Sequence, residues 1–171
     1  IASNWYDYEN LKWANVIIVK EDKYFYYKNC DNKTIINNDD ILAFFVWIPR
    51  FEYQLFNVNN KPIKEQVINI NFVNKDNPKK INIEDGLYYT HPAFTVNNVE
   101  LNGFWIAKFE PSLNNNIVQI KPNKNPITNI NMADMWNYSI SVAKEFGLKS
   151  NSRIITNMDW GAIAYLSYSK Y

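Results

Sequence analysis

The chain has 171 residues, a length that suits one domain, and 47% of them are apolar and 16% aromatic, which is enough to bury a core. With 18 Lys and Arg against 17 Asp and Glu, the formal net charge of +1 excludes a strong electrostatic attraction to nucleic acid or to an anionic membrane. One cysteine, Cys30, and one histidine, His91, exclude an intrachain disulfide and a zinc site built from Cys and His, so we expect no metal and no cofactor.

The first forty residues are predicted to form a hairpin followed by a loop. The stretches NVIIV at 15–19 and KYFYY at 23–27 consist mostly of β-branched and aromatic residues, and they flank the turn-like KED. The polar stretch NCDNKTIINNDD at 29–40 predicts a solvated loop. We therefore expect residues 1–40 to precede the main domain, which we assign to residues 41–171.

The middle of the chain is predicted to consist of short strands. ILAFFVWIPRFEYQLF at 41–56 is the most apolar stretch, and Pro49 divides it into two strands because proline cannot donate to a strand ladder. QVININFV at 66–73 alternates apolar and polar residues, and Gly103 begins the strand FWIAKF. The stretch SLNNNIVQIKPNKNPITN at 112–129 predicts a loop.

Two helices are predicted after residue 131. The first has apolar residues at helical spacing and ends at Gly147, which suits a C-cap; they are Met132, Met135, Trp136, Ile140, Ala143 and Phe146. The second begins at Thr156 and Asp159, which can form a capping box. The apolar residues of this second helix lie on more than one of its faces. We therefore expect residues 1–153 to leave part of the helix uncovered, and we expect the domain to be incomplete at its C-terminus.

Catalytic chemistry finds little support in the sequence. His91 is the only imidazole base, no serine lies in a G-x-S-x-G turn, and Cys30 lies in a polar loop without an adjacent helix start. We therefore expect His91 to be packed or hydrogen-bonded just before a strand, and we predict no catalytic and no metal-binding residue. A pair of carboxylates for glycoside cleavage stays open; the candidates are Asp39, Asp40, Glu52, Glu84, Asp85, Glu110 and Asp159.

Aromatic residues near the start of the chain allow two interpretations. Trp5, Tyr6, Tyr8 and Trp13 are able to stack on sugars if they are exposed. Packing in a core or at an interdomain contact is the more common role of such residues, and it is the one we expect here. The ligand-binding residues are left unassigned.

Four stretches in chain order carry a resemblance: ILAFFVWIPRFEYQLF (41–56), YYTHPAFTVNNVELNGFWIAKFEPS (88–112), IKPN (120–123) and MDWGAIAYLSYSKY (158–171). Together they resemble a family of surface and prophage-encoded proteins of gut bacteria and their phages. That family is similar to the formylglycine-generating-enzyme branch of the C-type-lectin fold. VWIP resembles the opening strand of that branch, HPAF leading to FWIAKFE resembles its characteristic strand, and TNMDWGAIAY resembles its helix.

The resemblance implies an α+β, C-type-lectin-like (sulfatase-modifying-factor-like) mixed sheet with two helices. In that fold a Gly- and Trp-rich second half follows the helix and carries the binding face and, in the enzyme, the catalytic cysteines. No position of this chain matches those cysteines, so the resemblance implies the scaffold rather than the activity. Large aromatic residues are expected to form one shared core; they are Trp47, Phe104, Trp105, Phe109, Trp136 and Trp160.

The function that we predict is a non-enzymatic recognition or structural domain of a phage or bacterial cell-surface assembly, located outside the cell, in a virion or on the bacterial surface. The predicted partners are other protein chains, namely a missing C-terminal part or assembly subunits, with a cell-surface glycan or protein receptor as a further candidate. We expect neither nucleic-acid binding nor membrane insertion. The alternatives are a glycoside hydrolase with a carboxylate pair, a degenerate relative of the formylglycine-generating oxidase, and a purely architectural virion protein.

Overall fold

A computed structural model describes residues 6–54, 67–76 and 88–171 of the chain, and these residues form a mixed α+β protein with small antiparallel sheets. The helices are α1 (Glu21–Lys28), α2 (Met132–Glu145) and α3 (Asn157–Ser167). The strands are β1 (Asn15–Val19), β2 (Ile41–Pro49), β3 (Phe51–Gln54), β4 (Asn69–Phe72), β5 (Tyr89–Thr90), β6 (Thr95–Val96), β7 (Val99–Glu100), β8 (Gly103–Ala107), β9 (Ser112–Asn114) and β10 (Ile117–Gln119). The predicted α+β class is confirmed at this level.

The chain forms two compact units, each made of separate segments. The first unit comprises Ile1–Trp13, Trp47–Trp105 and Ile155–Tyr171, and the second comprises Ala14–Val46 and Ile106–Ile154. Both β2 and β8 pass from one unit into the other along the chain. The units therefore divide the chain at positions other than the expected boundary at residue 40.

The second unit has a small core between its strands and α2. β1 pairs antiparallel with β2, with Ile18 opposite Ala43, and Ala43 is fully buried. Val118 of β10 packs in the same core as Ala43, together with Val142 and Phe146 from the C-terminal end of α2. Apolar side chains from the last turns of α2 thus anchor this helix to the unit.

The predicted hairpin at 15–27 is wrong, because residues 21–28 form α1 and β1 pairs with β2 instead. The helix dipole favours acidic residues in the first turn and basic residues in the last turn. α1 has Glu21 and Asp22 in its first turn and Lys28 in its last turn. Tyr27 fixes the helix by a tertiary contact: its hydroxyl donates to Asp40 Oδ2 at 2.7 Å and accepts from the Asn37 amide at 3.1 Å. Tertiary hydrogen bonds thus override the strand propensity of KYFYY.

Two tight hairpins turn at Asn–Asn pairs. β9 and β10 are joined at Asn115 and Asn116, whose φ angles are 51° and 62°. β6 and β7 are joined at Asn97 and Asn98, with φ angles of 49° and 63°. Left-handed backbone at both central residues is the geometry of a type I′ turn, which asparagine tolerates. The prediction of a loop over 112–129 is therefore wrong for the segment 112–119.

The core of the first unit lies between a three-stranded sheet and α3. The strand order is β4-β3-β5, with Phe51 of β3 opposite Phe72 of β4. Phe51 and Phe94 are fully buried, and α3 contributes Ala162 and Leu166 from one face. Residues three or four positions apart share a helix face, so Ala162 and Leu166 lie on the same side of α3, the side that is buried in this core.

The predicted start of α3 is confirmed. The Thr156 amide and hydroxyl both donate to Asp159 Oδ2 at 2.8 Å, and the Asp159 amide donates to Thr156 Oγ1 at 3.4 Å. This reciprocal arrangement is a capping box, which satisfies amides that the first turn of a helix leaves without partners. The predicted end of α2 is also confirmed, since Gly147 follows the helix with a φ of 64°.

The predicted shared aromatic core is wrong for three of its six members. Trp105 is 41% exposed, Trp136 is 52% exposed and Trp160 is 58% exposed. Trp160 lies about 200° around α3 from Ala162, on the side away from the sheet. The other three, Trp47, Phe104 and Phe109, are partly buried. The six residues also belong to two different units.

Candidate functional site

His91 occupies a buried position in the first unit, next to aromatic rings. Its side chain is 5% exposed and lies just before the short 3-10 helix Pro92–Phe94, whose Ala93 amide donates to His91 Nδ1 at 3.2 Å. The expectation that His91 is packed or hydrogen-bonded just before a strand is confirmed, because β6 begins at Thr95. Burial lowers the pKa of His91, and the nearby Asp159 carboxylate opposes this effect in part.

The other candidate catalytic groups have structural contacts. Asp159 is buried in the capping box of α3, and Asp40 accepts the hydrogen bond from Tyr27. The Cys30 thiol donates to the Tyr27 carbonyl oxygen at 3.0 Å. The structure brings no group of three or more His, Cys, Asp or Glu side chains together that could hold a metal ion within 6–54, 67–76 and 88–171. The candidates Glu84 and Asp85 lie outside these ranges.

Glu52 is the one carboxylate of the described residues with a buried oxygen that has no hydrogen-bond partner, namely Oε2. Its strand places Glu52 opposite Asn71 of β4 and Thr90 of β5, so the three residues form a polar row across the sheet. Phe51 and Tyr53 face the opposite side because side chains alternate along a strand. Neither Asn71 nor Thr90 carries a carboxylate, so this row itself contains no second acidic group of the kind that a glycosidase pairs with the first.

The aromatic residues near the start of the chain pack against the rest of the first unit. The ring centroid of Tyr8 lies 4.8 Å from that of Phe72 and 5.0 Å from that of Trp13, and Tyr171 lies 4.6 Å from Phe72. Burial, with a smaller contribution from Tyr6, raises the pKa of Tyr8 to about 12. The packing interpretation is confirmed for Tyr8 and Trp13, while Trp5 lies outside the described residues.

The first two turns of α2 expose an apolar face. All residues from 131 to 137 are exposed, whereas Val142, Ala143 and Phe146 near the other end are buried. The exposed apolar members are between 39% and 71% exposed; they are Met132, Met135, Trp136 and Ile140, and we call them the α2 face. Their spacing continues the stripe of Ala143 and Phe146, so one side of the helix is covered at its end and uncovered at its beginning.

The contacts that hold α2 lie in its second half. Glu145 Oε2 accepts from the Val118 amide at 3.2 Å. The Ser152 hydroxyl accepts from the Ala143 amide at 2.9 Å and donates to the Ile140 carbonyl oxygen at 3.2 Å. At the other end, Asn131 caps the helix by accepting from the Asp134 amide at 2.9 Å, which is a contact within the first turn. The α2 face thus belongs to a capped helix that extends beyond the core of its unit.

The sequence predicted that the residues of the α2 face share one side of a helix, but it placed one of them, Trp136, in the core, which is wrong. Periodicity shows which residues share a side of a helix, and only the structure shows that this side is uncovered. Of the helices in the ranges described, none has the length and apolar character that crossing a membrane requires.

Comparison of the chain with protein-family models, with curated proteins and with solved structures finds no match.

Proposed function

We propose that this chain is a non-enzymatic recognition or structural domain of a phage or bacterial cell-surface assembly, and that the α2 face packs against another protein chain of that assembly. The observation that carries the proposal is the exposure of Met132, Met135, Trp136 and Ile140 along one side of a capped helix. Large contiguous apolar patches on a protein surface are characteristic of interaction sites.

The chemistry of the α2 face fits a protein partner. The centre of a protein interface is rich in Trp and Met and poor in charged residues, and the four members of the α2 face are uncharged. Asp134, the acidic residue of the first turn, lies about 200° around the helix from Trp136, away from the face. Burying one side chain of this size stabilises a complex by about 1.5–3 kcal/mol before the cost of association.

The non-enzymatic part of the proposal is supported by the contacts that the reactive side chains make. His91 accepts a backbone hydrogen bond at Nδ1 and is enclosed by rings, so it is not placed to act on a substrate in solvent. The carboxylate of Asp159 caps a helix, and that of Asp40 holds Tyr27. These contacts support a binding or architectural role over a hydrolytic one.

The C-type-lectin-like fold and the location on a virion or bacterial surface are part of the same proposal. Three of the four stretches that carry the resemblance contain β2, β8 and most of α3, respectively. Capture of a cell-surface glycan or protein receptor is the recognition function that this scaffold implies.

Analytical ultracentrifugation over a range of protein concentrations tests the role of the α2 face. We expect the wild-type chain to associate at high concentration and the double variant Trp136→Ser, Met132→Ser to stay monomeric. Because both side chains are exposed, the free energy of unfolding of the variant should change by no more than about 0.5 kcal/mol for each substitution.

Phe25→Ser is the matched control, since Phe25 is an exposed aromatic residue on α1 rather than on α2. It should leave association unchanged. A wild-type chain that sediments as a monomer at every concentration, or a Phe25 variant that loses association to the same extent, would contradict the proposal. A glycan array read for both binding and cleavage provides the test of recognition, and cleavage of a bound glycan would overturn the non-enzymatic assignment.

A further inference from the structure

His91 lies where three elements of the first unit meet. Its ring centroid is 5.5 Å from that of Phe51 and 5.7 Å from that of Tyr53, both on β3, and 5.1 Å from that of Tyr165 on α3. The third element is the 3-10 helix Pro92–Phe94, which His91 caps. The imidazole is therefore part of the packing between the sheet, the 3-10 helix and α3.

The two ring nitrogens of His91 have different neighbours. Nδ1 accepts from the Ala93 amide, so it carries no proton and the neutral ring has its proton on Nε2. Nε2 faces α3, because a Cβ built on Gly161 would lie 3.3 Å from Nε2. Any residue other than glycine at position 161 would place its Cβ at this distance from the ring. The helix backbone approaches the ring this closely because residue 161 is glycine.

Protonation would change the first of these contacts. The second proton of an imidazolium goes to Nδ1, and there it would point at the N–H group of Ala93. Two donors would then face each other, the cap of the 3-10 helix would be lost, and a charge would lie among the rings of Phe51, Tyr53 and Tyr165.

Among the residues that the structure describes, few charged or titratable groups face His91. α3 contributes the Asp159 carboxylate and the Tyr165 hydroxyl, β3 contributes the Tyr53 hydroxyl, and the 3-10 helix contributes none because its residues are Pro92, Ala93 and Phe94. Asp159 favours the imidazolium, whereas burial opposes it and is the larger effect, so the pKa of His91 lies below its ordinary value of 6.5. Burial also raises the pKa of Tyr53, which is therefore neutral in mildly acidic solution.

We propose that His91 is a pH-sensitive contact that holds α3 against the 3-10 helix and β3 while it is neutral and releases α3 when it is protonated. Release would uncover Ala162 and Leu166, the buried apolar residues of α3, on a helix that already exposes Met158 and Trp160. Mild acid would thus enlarge the apolar surface of the first unit. The proposal does not depend on the proposed function, because it concerns the internal packing of one unit.

Nuclear magnetic resonance of the wild-type chain gives the first test. His91 is the only histidine, so its ring signals need no assignment. We expect the nitrogen shifts at neutral pH to show the Nε2–H tautomer and the ring to titrate below pH 6.5. A midpoint at or above 6.5, or a proton on Nδ1 at neutral pH, would overturn the proposal.

Hydrogen exchange measured at pH 7.5 and pH 5.5, corrected for the intrinsic pH dependence, gives the second test. The opening equilibrium of the α3 amides should rise in acid, by up to about tenfold for each unit by which the folded pKa lies below the unfolded one. Amides of α2, which belongs to the second unit, serve as the internal control and should not respond.

The variant His91→Asn separates protonation from other effects of acid. Asparagine places an oxygen where it can accept from the amide two residues later, as Nδ1 does, but it does not titrate. We expect α3 in this variant to exchange at the same corrected rate at both pH values. An acid response of α3 equal to that of the wild-type chain would overturn the proposal.

Discussion

The indole ring of Trp47 occupies the space that a side chain on Gly103 would need. A Cβ built on Gly103 would lie 2.5 Å from Trp47 Cζ2 and would also collide with the carbonyl oxygen of Ile48, and the φ angle of Gly103 is 150°. Both the space and the backbone conformation therefore require glycine at this position. Trp47 in turn packs against Trp105, with ring centroids 5.2 Å apart.

Replacing Gly103 by Ala should destabilise the first unit by about 3 kcal/mol, since it adds both overpacking and an unfavourable backbone conformation. Urea unfolding followed by tryptophan fluorescence measures the loss. Gly147→Ala is the matched control: its φ is also positive, at 64°, but a Cβ there would meet nothing within 4 Å. It should cost only about 1 kcal/mol. Equal losses in the two variants would contradict the role of the Trp47 ring.

Replacing Thr156 by Ala should weaken the start of α3 by about 1–2 kcal/mol, because it removes both hydroxyl contacts with Asp159. Thr156→Ser keeps the hydroxyl and should restore most of the loss. Urea titration of the wild-type chain and of both variants measures their free energies of unfolding. If the Ser variant were as unstable as the Ala variant, the effect would come from the methyl group rather than from the capping box.

Stability should depend on Glu100 in acid. Its carboxylate accepts from Thr95 Oγ1 at 2.8 Å and pairs with Arg50, and these hydrogen bonds lower the pKa of Glu100 from 4.5. The contribution of Glu100 is therefore complete above pH 4.5 and is lost as the pH falls through the lowered pKa. Melting temperatures measured from pH 6 to pH 3 should fall less steeply in Glu100→Gln than in the wild-type chain. Parallel curves would show that the ion pair adds nothing.

Stability should depend on Tyr8 in alkali. The raised pKa of about 12, against an ordinary value of 10.0, means that the unfolded chain loses this proton first. The contribution of Tyr8 is complete below pH 10 and is lost as the pH rises through about 12. Tyr8→Phe should flatten the decline in melting temperature above pH 10. Tyr26→Phe, at an exposed position on α1, is the control and should leave the decline unchanged.

The sequence predicted best the features that depend on neighbouring residues. The capping box of Thr156 and Asp159, the left-handed Gly147 and the break at Pro49 each follow from the chemistry of a few consecutive side chains. The Asn–Asn hairpin at 115–116 also had a local cause, since Asn accepts positive φ, but its strands of three residues are too short to stand out in the pattern.

Features that depend on distant residues were predicted poorly. α1 is held by the bond from Tyr27 to Asp40, thirteen residues away, which local propensity does not contain. The exposure of Trp105, Trp136 and Trp160 likewise depends on what the rest of the chain covers. Glu52 was one of seven candidate acids, and its buried oxygen follows from its register in the sheet rather than from its sequence neighbours.

The interleaving of the two units sets an order on folding during synthesis. The second unit takes all its residues from positions up to Ile154, whereas the first needs α3, whose Ala162 and Leu166 come after them. Phe51 and Phe94 leave the ribosome well before the helix that covers their side of the sheet. We therefore expect the first unit to complete its packing only after α3 has been translated, and later than the second unit.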